Sequence, residues 1–219
     1  MIARLTFIAA LLAAPVALAQ ETPPPVPAAT PAQIAEARQI ADRLIAEAGA
    51  TGIFVNKTDG AAPTVMHVAS GMQCTFDGSG DRIVIFPVQN DSVPRGDDVG
   101  CLARDEALSI DTTTYATRYR PLPSEEAVLA DAVNAIRNRW PDAVPFEGEM
   151  VSATVGEQAA PASAAFRITT PDGPMLTMVL VGHTGEWGYK VRATGPLDNA
   201  MMVSLYASLL MANMQSRED

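Results

Sequence analysis

The two cysteines, Cys74 and Cys101, are the pair of residues in this chain with the clearest chemistry. Redox-active pairs usually lie two residues apart near the start of a helix, where the thiolate is stabilised. These two are separated by 27 positions, and each lies in a segment of strand-like composition. In an oxidising compartment such cysteines pair by default. We therefore predict a structural disulfide between Cys74 and Cys101.

The chain has two histidines, and they lie in different settings. His67 falls in an apolar strand-like segment, where we interpret it as a histidine satisfied by its neighbours. His183 lies in a glycine-rich connection at 182–188, beside Glu186 and Trp187. This more exposed setting predicts a contact loop that uses His183, Glu186 and Trp187. The alternative is an exported hydrolase in which His183 works with a carboxylate.

Other patterns that could carry chemistry are absent or incomplete in the sequence. No Cys or His has metal-ligand spacing, and there is no nucleophile elbow, phosphate loop or dinucleotide fingerprint. Asp77, Ser79 and Asp81 have the spacing of the first calcium-loop ligands. Arg82 stands where that loop needs glycine, and Val88 stands where it needs an acid. We predict no catalytic residue, no metal and no cofactor.

Two further clusters could serve binding. Arg118, Tyr119 and Arg120 precede Pro121 and could contact an anionic partner, although a strand end with solvated arginines explains them as well. The last helix is rich in Leu and Met, which indicates either a methionine-filled core face or a carrier of a small apolar ligand. Its methionines are Met201, Met202, Met211 and Met214.

The first 19 residues have the organisation of a secretion signal. Arg4 precedes an apolar run from Leu5 to Ala14, and Ala17-Leu18-Ala19 is a small-x-small cleavage site. We predict cleavage after Ala19, followed by a proline-rich linker at residues 20–29. No later apolar run approaches the roughly 20 residues of a membrane span. The mature protein is therefore predicted to be periplasmic or secreted, soluble and without a transmembrane anchor.

The chain is acidic, with a net charge of −10. Cleavage after Ala19 would remove Arg4 and no acidic residue, so the mature chain is one unit more negative. An acidic surface repels nucleic acid phosphates and anionic lipid headgroups, which argues against a nucleic-acid partner. The length after cleavage suffices for one domain with a sizeable core. We predict a single domain at residues 30–219.

Periodicity and turn signals predict an α+β domain with an antiparallel sheet packed by helices. A helix begins after Thr30 and ends at Gly49, because Thr30, Pro31 and Gln33 form a capping signal. A second helix starts at Ser124 and a third covers about 197–214. Strands with close turns are predicted between and after the first two helices, at 53–55, 64–69, 73–76, 82–88, 99–103, 107–117, 150–155, 164–170, 175–182 and 189–194.

The order of segments from about residue 64 to the end resembles the PsbP-like and DcrB-like families of exported proteins. The resemblance is carried by Ser70-Gly71-Met72-Gln73-Cys74-Thr75-Phe76, Ser124-Glu125-Glu126-Ala127-Val128-Leu129, Ala164-Ala165-Phe166-Arg167-Ile168-Thr169 and Gly188-Tyr189-Lys190-Val191-Arg192-Ala193. It implies an antiparallel sheet sandwiched by helices. It also implies a non-catalytic accessory or envelope protein, with no shared catalytic residue to carry over.

These patterns favour a non-catalytic secreted or periplasmic envelope protein that acts as a binding or accessory module. Its expected partner is a protein of the cell envelope, which it would contact through the loop at 182–188 or the loop at 89–98. The alternatives are the exported hydrolase with His183 and the carrier of a small apolar ligand. The sequence leaves the oligomeric state open.

Overall fold

A computed structural model describes residues 28–78, 80–86, 94–153 and 160–215. The predicted signal at 1–19, most of the linker and much of the loop at 89–98 lie outside the described residues. The described chain forms three α-helices, ten strands and a short 3₁₀ helix (Leu197–Asn199). In chain order they are α1 (Pro31–Glu47), β1 (Phe54–Asn56), β2 (Thr64–His67), β3 (Gln73–Thr75), β4 (Arg82–Ile85), β5 (Asp98–Asp105), β6 (Ile110–Arg118), α2 (Glu125–Arg139), β7 (Val144–Pro145), β8 (Ala162–Thr170), β9 (Gly173–Thr184), β10 (Trp187–Pro196) and α3 (Ala200–Gln215).

The strands of the described residues form two antiparallel sheets. The small sheet has the order β1-β2-β3, and the large one has the order β4-β5-β6-β10-β9-β8-β7. The last strand in sequence, β10, lies at the centre of the large sheet between β6 and β9. This architecture confirms the predicted α+β class with an antiparallel sheet packed by helices.

The helices lie on both faces of the large sheet. The main core lies on one face and includes residues of α1, the small sheet and α3. On the other face α2 packs against β8 and β9, through Val128 and Ile136 of the helix and Phe166, Ile168 and Val179 of the strands. Among the described residues, α2 leaves β4, β5, β6 and β10 uncovered on its side. On its α2 side the large sheet is therefore covered only in part, whereas α1, the small sheet and α3 pack on the opposite side.

Local signals explain two of the helices. Thr30 caps α1: its hydroxyl accepts the Gln33 N–H, and the Gln33 side chain accepts the Thr30 N–H. Ser124 caps α2 by accepting the N–H of Ala127. These caps satisfy backbone donors that otherwise have no partner within the helix. They fix the two helix starts that the sequence predicts.

Helix α3 contains no charged residue and covers β9 and β10. Met211 and Met214 are buried in the main core, as a methionine-filled core face predicts, whereas Met201 and Met202 are exposed. Gly182 permits this packing, because a Cβ there would lie 3.4 Å from Met211 Sδ and closer still to the Gln215 side chain. No described helix has the length and hydropathy that a bilayer span requires.

The predicted disulfide is present and joins the two sheets. Cys74 of β3 is bonded to Cys101 of β5, with 6.3 Å between their Cα atoms. Both cysteines are buried in the main core. A buried cross-link between two sheets serves to hold them together, since redox-active cysteines are partly exposed.

One predicted strand is wrong in its described part. Residues 150–153 form no strand, and a two-residue strand, β7, pairs with β8 instead. The backbone of Val151 is bonded to α3, because its N–H donates to Ser204 Oγ at 2.9 Å and its carbonyl accepts from Ser208 Oγ at 3.4 Å. Side-chain hydroxyls therefore satisfy the groups that a sheet ladder would otherwise have used.

Candidate binding surface

The uncovered half of the large sheet carries a stack of aromatic and cationic side chains. We call the α2-side surface of β4, β5, β6 and β10 the open sheet face. On it the rings of Phe86 and Tyr115 stack with 5.7 Å between centroids, and Lys190 Nζ lies 4.3 Å from the Tyr115 centroid. Gly100 lies beneath them, and a Cβ there would lie 3.2 Å from the Phe86 ring. The missing side chain lets the rings lie close to the sheet.

Charges on the open sheet face are partly desolvated. Burial lowers the pKa of Lys190, and the charge of Asp98 opposes this effect. Burial raises the pKa of Asp98, while a hydrogen bond from Thr117 Oγ1 at 2.8 Å lowers it. Lys190 therefore lies over an aromatic ring and is attracted by the charge of a nearby carboxylate. The stack of Phe86, Tyr115 and Lys190 is thus an ordered feature of the open sheet face.

The same face continues into a cleft of about 420 Å³. We call it the arginine cleft. Sheet residues form its floor, and the end of α2 and the β8–β9 turn form its walls. Its floor includes Arg82, Leu102, Arg104, Asp111, Thr113, Met175, Arg192 and Thr194, and its walls include Arg139, Trp140, Thr170 and Asp172.

The acids of the arginine cleft are largely engaged by other groups. Asp111 pairs with Arg104, with 2.9 Å between Oδ1 and Nη1. Asp81, at the edge of the cleft, accepts the backbone N–H groups of Asp77, Gly78 and Arg104 at 2.9–3.0 Å. Asp81 is therefore a carboxylate that holds the backbone around it in place. The described residues also contain no cluster of ligands that could hold a metal ion.

Three arginines of the cleft have no acidic partner among the described residues. The guanidinium of Arg139 lies over the Trp140 ring, 4.7 Å from its centroid. Arg82 and Arg192 lie on the floor, and neither forms an ion pair within that part of the chain. The cleft is therefore a cationic site on an acidic chain.

The predicted contact loop is a tight hairpin turn. Strand β9 runs to Thr184 and β10 starts at Trp187, so the connection is two residues long. Trp187 is 7% exposed and its ring packs edge-on against His67. Of the three predicted contact residues, Glu186 alone is in the turn and exposed. The prediction of an open loop at 182–188 overestimated its length, because the strand pairing continues to the turn.

The turn contacts the arginine cluster around Arg118 and Arg120. Arg118 Nε donates to Glu186 Oε2 at 2.9 Å, and Arg120 Nη2 lies 3.9 Å from the same oxygen. The hydrogen bond from Arg118 lowers the pKa of Glu186. Arg118 also lies 3.9 Å from Asp97. These two arginines are thus engaged within the chain, unlike Arg82, Arg139 and Arg192 of the arginine cleft.

His183 lies against the start of α2 and outside both described clefts. Its backbone N–H donates to Glu125 Oε1 at 3.0 Å. Its ring nitrogen Nε2 is buried and has no hydrogen-bond partner among the described residues. The carboxylate next to it therefore binds the backbone and not the ring. This arrangement lacks the base–carboxylate contact that a hydrolase would use.

A serine–histidine pair does occur, but it is buried. Nδ1 of His67 lies 2.8 Å from Ser70 Oγ, and Ser70 Oγ also accepts the Met72 N–H at 3.1 Å. Tyr189 donates its hydroxyl hydrogen to the Ser70 carbonyl at 2.7 Å. All four side chains have at most 1% of their surface exposed. The network ties β2 to β10 and offers no approach for a substrate.

A second, larger cleft of about 910 Å³ runs along α1. Its apolar lining includes Ile40, Leu44 and Phe76, and its rim is mostly acidic. At that rim the pKa of Asp77 is raised by burial and by nearby acidic charges, of which that of Asp105 is the largest. The shape admits an apolar group with a polar or cationic end.

Comparisons with known proteins identify no family for this chain. No family model matches the chain, and no curated protein matches it. Among solved structures it is similar to LpqN, described as involved in cell envelope biogenesis of Mycobacterium tuberculosis. The identity is 13% and the TM-score is 0.33, over 63% of this chain and 83% of LpqN. A likeness at this level says nothing about what this chain binds. The PsbP-like and DcrB-like resemblance stays a prediction.

Proposed function

We propose that this chain is an exported, non-catalytic binding module of the cell envelope that makes contact through its open sheet face. The observation that carries the proposal is the half of the large sheet that α2 leaves uncovered. There Phe86, Tyr115 and Lys190 form an ordered stack. Half-exposed aromatic rings beside cations are common at protein contact sites. Loops and faces on a rigid sheet are also where binding residues concentrate.

Export is supported by two independent features. The first 19 residues have the pattern of a cleavable signal. Cys74 and Cys101 form a disulfide, a bond that persists in oxidising compartments outside the cytosol. A cytosolic protein would gain little from such a cross-link. Together these features support a periplasmic or secreted location.

The hydrolase alternative finds less support. Its histidine, His183, meets Glu125 only through the backbone N–H. The other histidine, His67, forms a hydrogen-bonded pair with Ser70 that is buried in the core. A catalytic pair needs a cleft in which substrate can reach it. Neither histidine lines the arginine cleft or the cleft along α1.

The carrier alternative has one observation in its favour, the cleft along α1. Its volume of about 910 Å³ falls in the range of small-molecule sites. It is lined by α1, whereas the sequence pointed to the last helix. Native mass spectrometry of gently purified protein would test it. A reproducible extra mass that an Ile40→Arg variant loses would favour the carrier, and bare protein would count against it.

Export is tested by cell fractionation and amino-terminal sequencing of a carboxyl-terminally tagged full chain. We expect the protein outside the cytoplasm with Gln20 as its first residue. A Leu11→Arg variant, which interrupts the apolar run, should stay inside and keep its signal. Wild-type protein that keeps its signal and stays in the cytoplasm would refute the proposed location.

Binding is tested by co-sedimentation of the purified mature protein with isolated cell envelopes. We expect a Phe86→Ala/Tyr115→Ala variant to be retained about tenfold less, because it removes two central aromatic contacts. Val144→Ala is the matched control, since Val144 is an exposed apolar residue at the far edge of the same sheet. Equal retention of all three proteins would refute the open sheet face as the contact surface.

A further inference from the structure

We propose that the arginine cleft binds an acidic glycan, a sugar chain that carries carboxylate groups. The proposal rests on the proposed function and specifies one ligand for the same face. It commits to carboxylates attached to sugar rings, because the cleft combines cations, hydroxyl groups and an aromatic ring in one concave site.

The charge of the cleft indicates an anion. The chain as a whole carries −10, yet four arginines line this cleft. Arg104 is neutralised by Asp111 and Glu106. Arg82, Arg139 and Arg192 have no ion-pair partner in the described chain, and the remaining acid, Asp172, lies exposed on the β8–β9 turn. An anionic ligand would supply the missing counter-charge.

Guanidinium groups favour carboxylates by geometry as well as by charge. Their planar N–H groups match the two oxygens of a carboxylate and form paired hydrogen bonds. Arg192 is partly buried on the central strand β10, and its neighbours on the same face are Lys190 and Thr194. A partly buried guanidinium is more ordered than a surface one and interacts more strongly with an anion. Arg192 is thus the expected anchor.

The hydroxyl groups of the cleft favour a sugar over a bare anion. The Thr113 hydroxyl lines the floor, and no hydrogen bond within the described chain engages it. The Thr170 hydroxyl donates to the Gly173 carbonyl at 3.1 Å, so its oxygen can still accept a hydrogen bond. A polyol supplies donors and acceptors for both. Inorganic phosphate could accept a hydrogen bond from Thr113, but it offers few donors for the Thr170 oxygen.

The aromatic ring and the size of the cleft fit the same ligand. Trp140 forms part of the wall, with the Arg139 guanidinium over its ring, so a sugar in the cleft would contact this arginine and tryptophan together. A volume of about 420 Å³ lies at the lower end of small-molecule sites, so the cleft would hold a short part of a chain. The open sheet face continues from it towards Tyr115 and Phe86. A longer glycan can therefore extend along that face.

The test is a calorimetric titration of the purified mature protein with an oligogalacturonide, whose sugar units carry carboxylates. We expect saturable binding at about 20 mM salt that weakens at about 200 mM, as charge pairs require. A neutral malto-oligosaccharide of equal length, inorganic phosphate and a poly-glutamate peptide are the comparison probes. Each should bind at least about tenfold more weakly than the oligogalacturonide.

Single substitutions locate the site. Arg192→Gln and Arg82→Gln should each weaken oligogalacturonide binding about tenfold, the loss of one charge-assisted contact. Arg167→Gln is the matched control, because Arg167 is exposed on β8 and pairs with Leu176, whose side chain lies in the main core on the opposite face. It should bind like the wild type. Thermal unfolding of all three variants shows whether they are folded.

Trp140 supplies a second readout. The chain has two tryptophans, and Trp187 is buried in the core, so ligand in the cleft should change the fluorescence of Trp140. A Trp140→Phe variant should lose that signal. The glycan assignment is overturned if the oligogalacturonide does not bind, or if the neutral sugar binds equally well. It is also overturned if phosphate or the peptide binds more tightly, or if Arg192→Gln leaves the affinity unchanged. If envelope retention still depends on Phe86 and Tyr115, the binding module stands and only its ligand is wrong.

Discussion

The buried histidine predicts that acid destabilises this fold by an amount the structure sets. His67 is 1% exposed, and its Nδ1 accepts the Ser70 N–H at 3.3 Å. The rings of Phe54 and Trp187 lie 5.2 Å and 5.4 Å from it. Burial lowers the pKa of His67 to about 4 from an ordinary 6.5, although a hydrogen bond to the Gly96 backbone and the charge of Asp97 oppose the shift. The neutral ring is therefore the form that the fold requires.

The sign and size of the effect follow from proton linkage. Above the unfolded pKa of 6.5 both states are neutral, and His67 makes no pH-dependent contribution. Between 6.5 and about 4 only the unfolded state binds the proton, so stability falls by up to 1.4 kcal/mol for each pH unit. The loss reaches about 2.5 kcal/mol near pH 4.5 and about 3.4 kcal/mol below the folded pKa.

The assay is urea unfolding at about pH 7.5 and about pH 4.5, compared with a His67→Asn variant. The variant keeps an oxygen that can accept a hydrogen bond but has no titrating ring. Between the two pH values its free energy of unfolding should therefore fall by about 2.5 kcal/mol less than that of the wild type. The comparison is needed because the raised pKa of Asp98 acts in the opposite direction and favours the folded state in acid. NMR titration of the two histidine rings tests the pKa directly. A His67 ring that titrates near pH 6.5 in the folded protein would refute the reasoning.

Three further variants test the fold and the site. Replacing Cys74 and Cys101 together with serine should lower the free energy of unfolding by about 3.5 kcal/mol, the loop-closure value, and a loss below about 1 kcal/mol in urea unfolding would show that the cross-link is dispensable. Tyr189→Phe removes the donor to the Ser70 carbonyl and should cost about 1 kcal/mol by the same assay, whereas an unchanged midpoint would mean that the bond contributes nothing. Gly100→Ala places a Cβ 2.9 Å from a backbone oxygen of β6 and against the ring above it. It should reduce both stability, by about 1–3 kcal/mol, and envelope retention, and full retention would argue against the ordered stack.

The sequence predicts the helices because their signals are local. Thr30 and Ser124 each satisfy backbone donors a few residues away, so the helix starts are visible without any tertiary information. The disulfide is equally accessible, since export and two cysteines suffice to predict it. The strand predicted at 150–155 is wrong in its described part, because Ser204 and Ser208 of a distant helix bind the backbone of Val151. The alternation of apolar residues along a segment cannot reveal that side chains of a distant helix will bind its backbone.

The candidate site depends on strand order, which the sequence does not show. Lys190 and Arg192 join the open sheet face because β10 pairs with β6, where Lys190 lies opposite Tyr115. Along β10, apolar Tyr189, Val191 and Ala193 alternate with polar residues, so the two sets lie on opposite faces of the strand. This alternation could have placed Lys190 and Arg192 on one face. Which face α2 leaves uncovered, however, follows only from the packing of that helix on β8 and β9.

The most direct test of the open sheet face is site-specific photo-crosslinking in intact cells. A photoreactive phenylalanine analogue in place of Tyr115 should form a covalent adduct with an envelope component, because this ring lies at the centre of the proposed contact. The same analogue in place of Val144, at the opposite edge of the sheet, should form none. An adduct from position 144 and none from position 115 would contradict the account.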